Sequence, residues 1–93
     1  MTDMLLWPSK DPNEVLDYQI DWSEVLDVDT ITASAWTNIT SGITIVSTAN
    51  TSTRTVIWLS GGSNGGAYKM TNRITTSAGR IMDQTIRIEV WEK

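Results

Sequence analysis

The sequence predicts an all-β fold, an immunoglobulin-like sandwich of two antiparallel sheets with about six to seven strands and no disulfide. Three observations lead to this prediction. Apolar and polar residues alternate with period two, and helical spacing is almost absent. Threonine and other β-branched residues are abundant, as is typical of strands. Turn residues recur about every ten positions, and the chain of 93 residues contains no cysteine.

The first predicted strand covers about residues 14–22. Its apolar side chains share the face that we expect in the core: Leu16, Tyr18, Ile20 and Trp22. Asp17 and Asp21 share the opposite face, which we expect at the surface. The next residues, beginning at Ser23, are predicted to form one helical turn with Ser23 as its N-cap.

The second predicted strand covers about residues 29–37. A bulge or bend near Ala33–Ala35 would bring Ile31 and Trp36 to the same side of the sheet. Trp36 then becomes a candidate for the central indole of the core.

Four further strands are predicted at about 43–48, 53–60, 67–76 and 82–92. The run "GGSNGG" at 61–66 lacks the Lys-Ser/Thr or helix start of a phosphate-binding loop, so we interpret it as a hairpin loop. Gly66 and Tyr68 open the next strand with the spacing of a tyrosine corner, which places Tyr68 in the core.

Two tryptophans are out of phase with their aliphatic neighbours. Trp58 and Trp91 should therefore face outward, where exposed indoles usually mark a protein contact or a sugar-stacking surface. Loops or the N-terminal arm could also cover them within the monomer.

Charge is distributed unevenly along the chain. Residues 1–29 carry eight acids and one lysine, a sum of −7, whereas residues 30–93 carry a sum of +3. Such a chain can neutralise itself within one fold or against a neighbouring copy. The basic residues are scattered, so nucleic acid is not expected as a partner. No segment approaches a membrane span, and the apolar run before Pro8 is too short for a signal peptide, so we expect a soluble intracellular product.

The composition disfavours catalysis and metal binding, so we expect no catalytic, metal or cofactor site. The sequence has neither histidine nor cysteine. Asp27-Val28-Asp29-Thr30 imitates the start of a calcium loop, but Thr32 and Asn38 stand where Gly and Glu are needed. Asp17 and Asp21 lie about 13 Å apart on a flat strand, which is not the paired-carboxylate cleft of a glycosidase.

Residues 1–12 are predicted to form an extended N-terminal arm, and residues 13–93 the sandwich domain. The arm presents Met4, Leu5, Leu6 and Trp7 ahead of two prolines that keep it extended. We expect these apolar side chains to dock on this domain or on a neighbouring subunit.

Four stretches resemble, in order and spacing, the small fibre-tail adaptor proteins of tailed bacteriophages. They are "KDPNEVLDYQIDWS" at 10–23, "DTITASAWT" at 29–37, "VIWLSGG" at 56–62 and "YKMTNRITTSAGR" at 68–80. The resemblance implies a non-enzymatic protein of the virion tail, assembled in the host cytoplasm. It also implies an immunoglobulin-like domain that links fibres to the tail in several copies.

Under this reading the expected partners are tail proteins, the tail fibre and copies of the chain itself in a ring or cluster. No nucleic acid, membrane, small-molecule substrate or cofactor is expected. The predicted interface residues are Met4, Leu5, Leu6, Trp7, Asp17, Asp21, Arg54, Trp58, Arg73, Arg87 and Trp91. The predicted core aromatics are Tyr18, Trp22, Trp36 and Tyr68. The alternative is a carbohydrate-binding module, or a capsid or head-tail decoration module, that aids adsorption to the host.

Overall fold

The computed structural model describes residues 5–93, which form seven strands and one short helix. The elements are β1 (Leu5–Leu6), β2 (Leu16–Asp21), α1 (Ser23–Leu26), β3 (Ile31–Thr37), β4 (Ile43–Asn50), β5 (Arg54–Gly61), β6 (Ala67–Thr76) and β7 (Ile81–Glu89). No helix between Leu5 and Lys93 is long and apolar enough to cross a membrane.

Two sheets pack face to face, which confirms the predicted sandwich. One sheet has four strands in the order β1-β7-β6-β3, and the other has three in the order β2-β5-β4. All pairs of neighbouring strands are antiparallel except β1 with β7, where Leu5 lies beside Ile86 and Leu6 beside Arg87. The sequence did not predict β1 as a strand, because two residues are too few to show alternation.

The second predicted strand does contain an irregularity, although it lies earlier than expected. The register of β3 against β6 shifts between Ile31 and Ala33. The shift allows Ile31 to be buried and Trp36 to pack against the core from the same face, as the alternation required. A second register shift, between Ile45 and Ser47 of β4, was not predicted.

The glycine run at 61–66 is not a hairpin loop, and that prediction was wrong. It connects β5 in the three-stranded sheet to β6 in the four-stranded sheet. Gly61, Gly62 and Gly65 do adopt positive φ angles, of 78°, 89° and 81°. A Cβ atom on Gly62 would lie 2.7 Å from Val90 Cγ2, so this crossing of the sheets requires glycine.

Ser23 is not the N-cap of the helical turn, and that prediction is also corrected. The cap position of α1 is Trp22, which makes no side-chain capping hydrogen bond. The Asp21 carboxylate instead accepts a hydrogen bond of 2.9 Å from the backbone N–H of Ser23. The turn places Leu26 in the core with no exposed surface.

The central indole of the core is Trp22 rather than Trp36. Trp22 is completely buried, whereas Trp36 is only half-buried. Trp22 follows β2 and points between the sheets, where its indole N–H finds two hydrogen-bond acceptors. The indole Nε1 lies 3.2 Å from both Thr55 Oγ1 and Asn72 Oδ1. An indole is buried at little cost when its N–H is satisfied in this way.

Asn72 joins the two sheets through a fully satisfied buried amide. Its Oδ1 accepts from the Trp22 indole and from the Thr55 hydroxyl on the facing sheet, at 3.2 and 2.7 Å. Its Nδ2 donates to Ser34 Oγ and to the carbonyl of Ala35 on β3, at 2.9 and 3.1 Å. All four hydrogen-bonding positions of the amide are used, so its burial carries no desolvation penalty from an unmade bond.

Tyr68 has the hydrogen bond expected of a tyrosine corner. Its side chain is buried and its Oη accepts a 2.8 Å bond from the backbone N–H of Ser63. The bond fixes the glycine loop to the start of β6.

Replacing Asn72 by alanine should lower the free energy of unfolding by about 3 kcal/mol, because two buried donors lose their acceptor and a cavity remains. Chemical denaturation monitored by tryptophan fluorescence measures this loss. Asn13→Ala is the control, since Asn13 is exposed outside the sheets and should change stability by about 0.5 kcal/mol or less. Equal effects of the two substitutions would contradict the role given to Asn72.

Tyr68→Phe should cost about 1 kcal/mol, because it removes one hydrogen bond and leaves the ring packing intact. The measurement is the denaturation midpoint, together with faster amide exchange at Ser63. An unchanged Ser63 exchange rate would argue against the corner.

Candidate interaction surface

The apolar run of the predicted arm is divided between the surface and the core. Leu5 and Leu6 are 40% and 61% exposed on the edge strand β1, while Met4 lies outside the described residues. Trp7 is buried against its own domain, the first of the two outcomes expected for the arm, so its side chain is not free to contact a neighbouring subunit. Its backbone N–H donates to the carbonyl of Arg87 at 3.0 Å, which continues the pairing of β1 and turns the indole inward.

Trp7 belongs to an aromatic cluster with Tyr18 and Trp36. The rings of Trp7 and Tyr18 are stacked, with centroids 4.8 Å apart and planes 12° apart, and Trp36 lies 6.0 Å from Trp7. Burial raises the pKa of the Tyr18 hydroxyl to about 12. Within residues 5–93, the buried Tyr18 Oη and Trp36 Nε1 have no hydrogen-bond partner. The cluster is therefore stabilised by ring packing.

Lys10 is completely buried, and no pattern in the sequence predicts this burial. Its ammonium donates to the carbonyls of Asp11 and Gly61, at 2.9 and 2.8 Å. Burial lowers the pKa of Lys10 from its ordinary value. The backbone of Lys10 also bonds to Glu89 and Trp91, so this residue attaches the N-terminal segment to β7 and to the glycine loop.

Trp58 lies on the outer face of the three-stranded sheet. It is 41% exposed and stands between Asp17 on β2 and Ser47 on β4 in the strand register. Asp17 is exposed as well, and it makes no ion pair within the described part of the chain. An exposed indole flanked by a carboxylate and a small hydroxyl can supply both burial and polar contacts to a protein partner.

Trp91 does not share this face. It follows β7 and is 48% exposed. Its ring lies 3.7 Å from the position that a Cβ atom on Gly65 would take, and the N–H of Glu92 donates to Asn64 Oδ1 at 2.8 Å. The structure thus separates the two exposed tryptophans that the sequence grouped together.

Each basic residue predicted for the interface has a carboxylate partner in its own chain. Arg73 makes a bidentate pair with Asp83 at 2.8 and 3.0 Å, and this pair lowers the pKa of Asp83. The other two pairs are exposed and longer: Arg54 with Asp21 at 3.9 Å and Arg87 with Glu89 at 3.6 Å. Part of the charge asymmetry is therefore neutralised within the fold. An intersubunit role for these residues stays a prediction.

Asp29 lies in the segment 27–30 that resembles the start of a calcium loop, and its carboxylate stabilises a turn. Its carboxylate accepts hydrogen bonds from the Ser77 hydroxyl at 2.6 Å and from the N–H groups of Thr30 and Ala78, and Arg80 pairs with it at 3.2 Å. Hydrogen bonds from the Ser77 and Thr76 side chains, followed by the backbone donors, hold the pKa of Asp29 well below its ordinary range. Between Leu5 and Lys93, no three acidic side chains are grouped so that they could hold a metal ion.

Comparison with family models shows that the model described as podophage GP4 fiber-tail adaptor protein gp77 matches residues 10–89. No curated protein matches the chain.

The hydrogen bonds to Asp29 predict a loss of stability in acid. The folded pKa of Asp29 lies below the ordinary value of 3.8, so its contribution is complete above that pH. As the pH falls, the unfolded chain takes up the proton first, and the free energy of unfolding decreases. We expect Asp29→Asn to be less stable than the wild type at pH 7 and to lose less stability on acidification.

The measurement is the urea midpoint of both proteins at pH 7 and pH 3. Asp27→Asn is the matched control, because Asp27 is exposed and an asparagine tolerates its φ of 56°. An equal acid-induced loss in the wild type and Asp29→Asn would contradict the role of Asp29.

Proposed function

The chain belongs to the podophage fiber-tail adaptor family, and from this membership we propose that it is a non-enzymatic structural protein that links fibres to the virion tail. The family match over residues 10–89 carries the proposal. It spans nearly the whole sandwich, from the buried Lys10 to the end of β7. The location that we propose for the protein is the tail of the assembled phage particle.

The chemistry of the chain supports a role in binding rather than catalysis. The sequence offers no histidine or cysteine as base or nucleophile. Within residues 5–93, the two buried charged side chains both serve the fold, since Lys10 binds backbone carbonyls and Asp29 stabilises a turn.

An immunoglobulin-like scaffold is the finer form of the fold that we propose. The three-stranded sheet joins β2, β5 and β4, and the facing sheet joins β3, β6 and β7, as in the seven-stranded members of that class. The bond from Ser63 to Tyr68 supports the same assignment. The core aromatics only hold this scaffold, which leaves the outer faces for partners.

We propose the face around Trp58 as the contact with a tail or fibre protein. Its indole is exposed on the middle strand of the sheet, which is paired on both sides, so little conformational entropy is lost on binding. Asp17 adds a carboxylate without an ion pair in the described chain, whereas the predicted partner charges Arg73 and Arg87 are already paired. Trp7 contributes to stability instead.

Several copies of the chain around the tail complete the proposed role. Opposite charges on different faces would support contacts between neighbouring copies. Asp17 fits such a contact better than Asp21, because Asp21 already faces Arg54 across the strand pair.

Trp58→Ala should weaken incorporation into tails by about 2 kcal/mol, or about thirtyfold in affinity, because it removes a central exposed indole. The assay mixes purified protein with tails assembled without the adaptor and measures bound protein and recruited fibre. Trp91→Ala is the matched control, since Trp91 is similarly exposed but lies at the glycine loop.

Normal incorporation of the Trp58→Ala protein would overturn this choice of surface. Failure of the unmodified protein to bind any tail or fibre protein would overturn the adaptor role itself. Binding of Trp58 to host polysaccharide, with normal assembly, would favour the carbohydrate-binding alternative.

A further inference from the structure

We propose that β4 is a pairing edge at which two copies of this chain join, with their β4 strands antiparallel across a two-fold axis. This extends the three-stranded sheet into a sheet of six strands shared by two molecules. The proposal is independent of the adaptor role, because it concerns how the chain associates with itself.

The four edges of the sandwich differ in how they are protected. β1 has only two residues and is followed closely by Pro8, and β2 carries Asp17 and Asp21. Short length, proline and charge are the devices that prevent edge-to-edge pairing. In contrast, residues 30–53 contain no charged residue and no proline, and this run includes both β3 and β4.

The C-terminal half of β4, Ser47 to Asn50, is exposed to solvent. Ser47 to Asn50 are exposed at all four positions, although a strand in a sandwich normally buries every second residue. Thr48 and Asn50 lie beside Ile57 and Thr55, whose side chains are completely buried on the core-facing side of β5. Among the described residues, this segment is hydrogen-bonded to one strand, β5, and its side chains on both faces are exposed.

Charge selects a second copy of the same strand as the partner. Two-fold antiparallel pairing brings the same residues of the two copies together, and like charges directly opposite are destabilising. Pairing of β2 with itself would oppose Asp17 and Asp21, whereas β4 has no charge to oppose.

The neighbouring strand favours β4 over the other uncharged edge, β3. In the strand register, Ser47 lies beside Trp58 and Ala49 beside Val56. Because Ser47 and Ala49 are small, the apolar side chains of Trp58 and Val56 on β5 stay within reach of a second copy. On β3, Ala35 lies beside Arg73 instead. The register shift between Ile45 and Ser47 interrupts the edge of β4, so we expect the hydrogen-bonded ladder with a second copy to cover Ser47–Asn50.

The test is the association state of the purified chain by sedimentation equilibrium over a wide concentration range. The wild type should form a dimer whose dissociation constant changes little with salt, since no charge lies at the proposed contact. The double variant Ser47→Lys/Ala49→Lys should dimerise at least tenfold more weakly. The matched control Gln19→Lys/Thr37→Lys adds the same charge to β2 and β3 and should keep the wild-type constant.

Mixing experiments identify the contact itself. Ser47→Lys/Ala49→Lys mixed with Ser47→Glu/Ala49→Glu should restore dimers, now sensitive to salt, because opposite charges meet across the axis. Because the chain has no cysteine, Thr48→Cys introduces a single thiol per copy, and a two-fold axis at Thr48 places the two thiols directly opposite each other, so this variant should form a disulfide-linked dimer on mild oxidation. Ser23→Cys, exposed on α1, is the control that should cross-link more slowly.

A wild type that stays monomeric at every concentration would overturn the proposal. So would a lysine variant that dimerises normally, or Thr48→Cys and Ser23→Cys proteins that cross-link at equal rates. The cysteine measurement decides the matter if the lysine variants fail to fold. All these assays use the purified chain without phage, so their failure leaves the adaptor role untouched.

Discussion

The buried amide of Asn72 is the constraint on which the arrangement of the two sheets depends. It accepts from Trp22 and Thr55 on one side of the sandwich and donates to Ser34 and Ala35 on the other. An amide buried in this way is stable only when all its partners are present, so it specifies the relative position of β3, β5 and β6. Because it also orients the Trp22 indole, it makes the residue after β2 the centre of the core.

Both ends of the described chain are fixed by a second buried polar group, the ammonium of Lys10. A charge without a buried carboxylate requires good hydrogen bonds, and the carbonyls of Asp11 and Gly61 provide them. The same residue exchanges backbone hydrogen bonds with Glu89 and Trp91. The glycine loop and the C-terminal residues are consequently held against the N-terminal segment, and Trp7 is carried into the space between the sheets.

These constraints leave the two outer faces with different properties. The four-stranded sheet presents two ion pairs within the chain, Arg73 with Asp83 and Arg87 with Glu89. The three-stranded sheet presents Trp58 beside Asp17, which makes no ion pair within residues 5–93, and it ends in the uncharged edge of β4. A tail or fibre protein on the face and a second copy on the edge could use this sheet together, since the indole lies one strand away from β4.

The sequence by itself determined the sandwich, most strand positions and the outward orientation of Trp58, because period-two alternation and turn residues are local properties of the chain. It also contained the motifs of the adaptor family. Only the tertiary structure decided that Trp7 and Lys10 are buried, that the glycine run crosses between sheets and that the arginines pair internally. Each of these depends on which distant strand lies alongside, and local alternation carries no information about that choice.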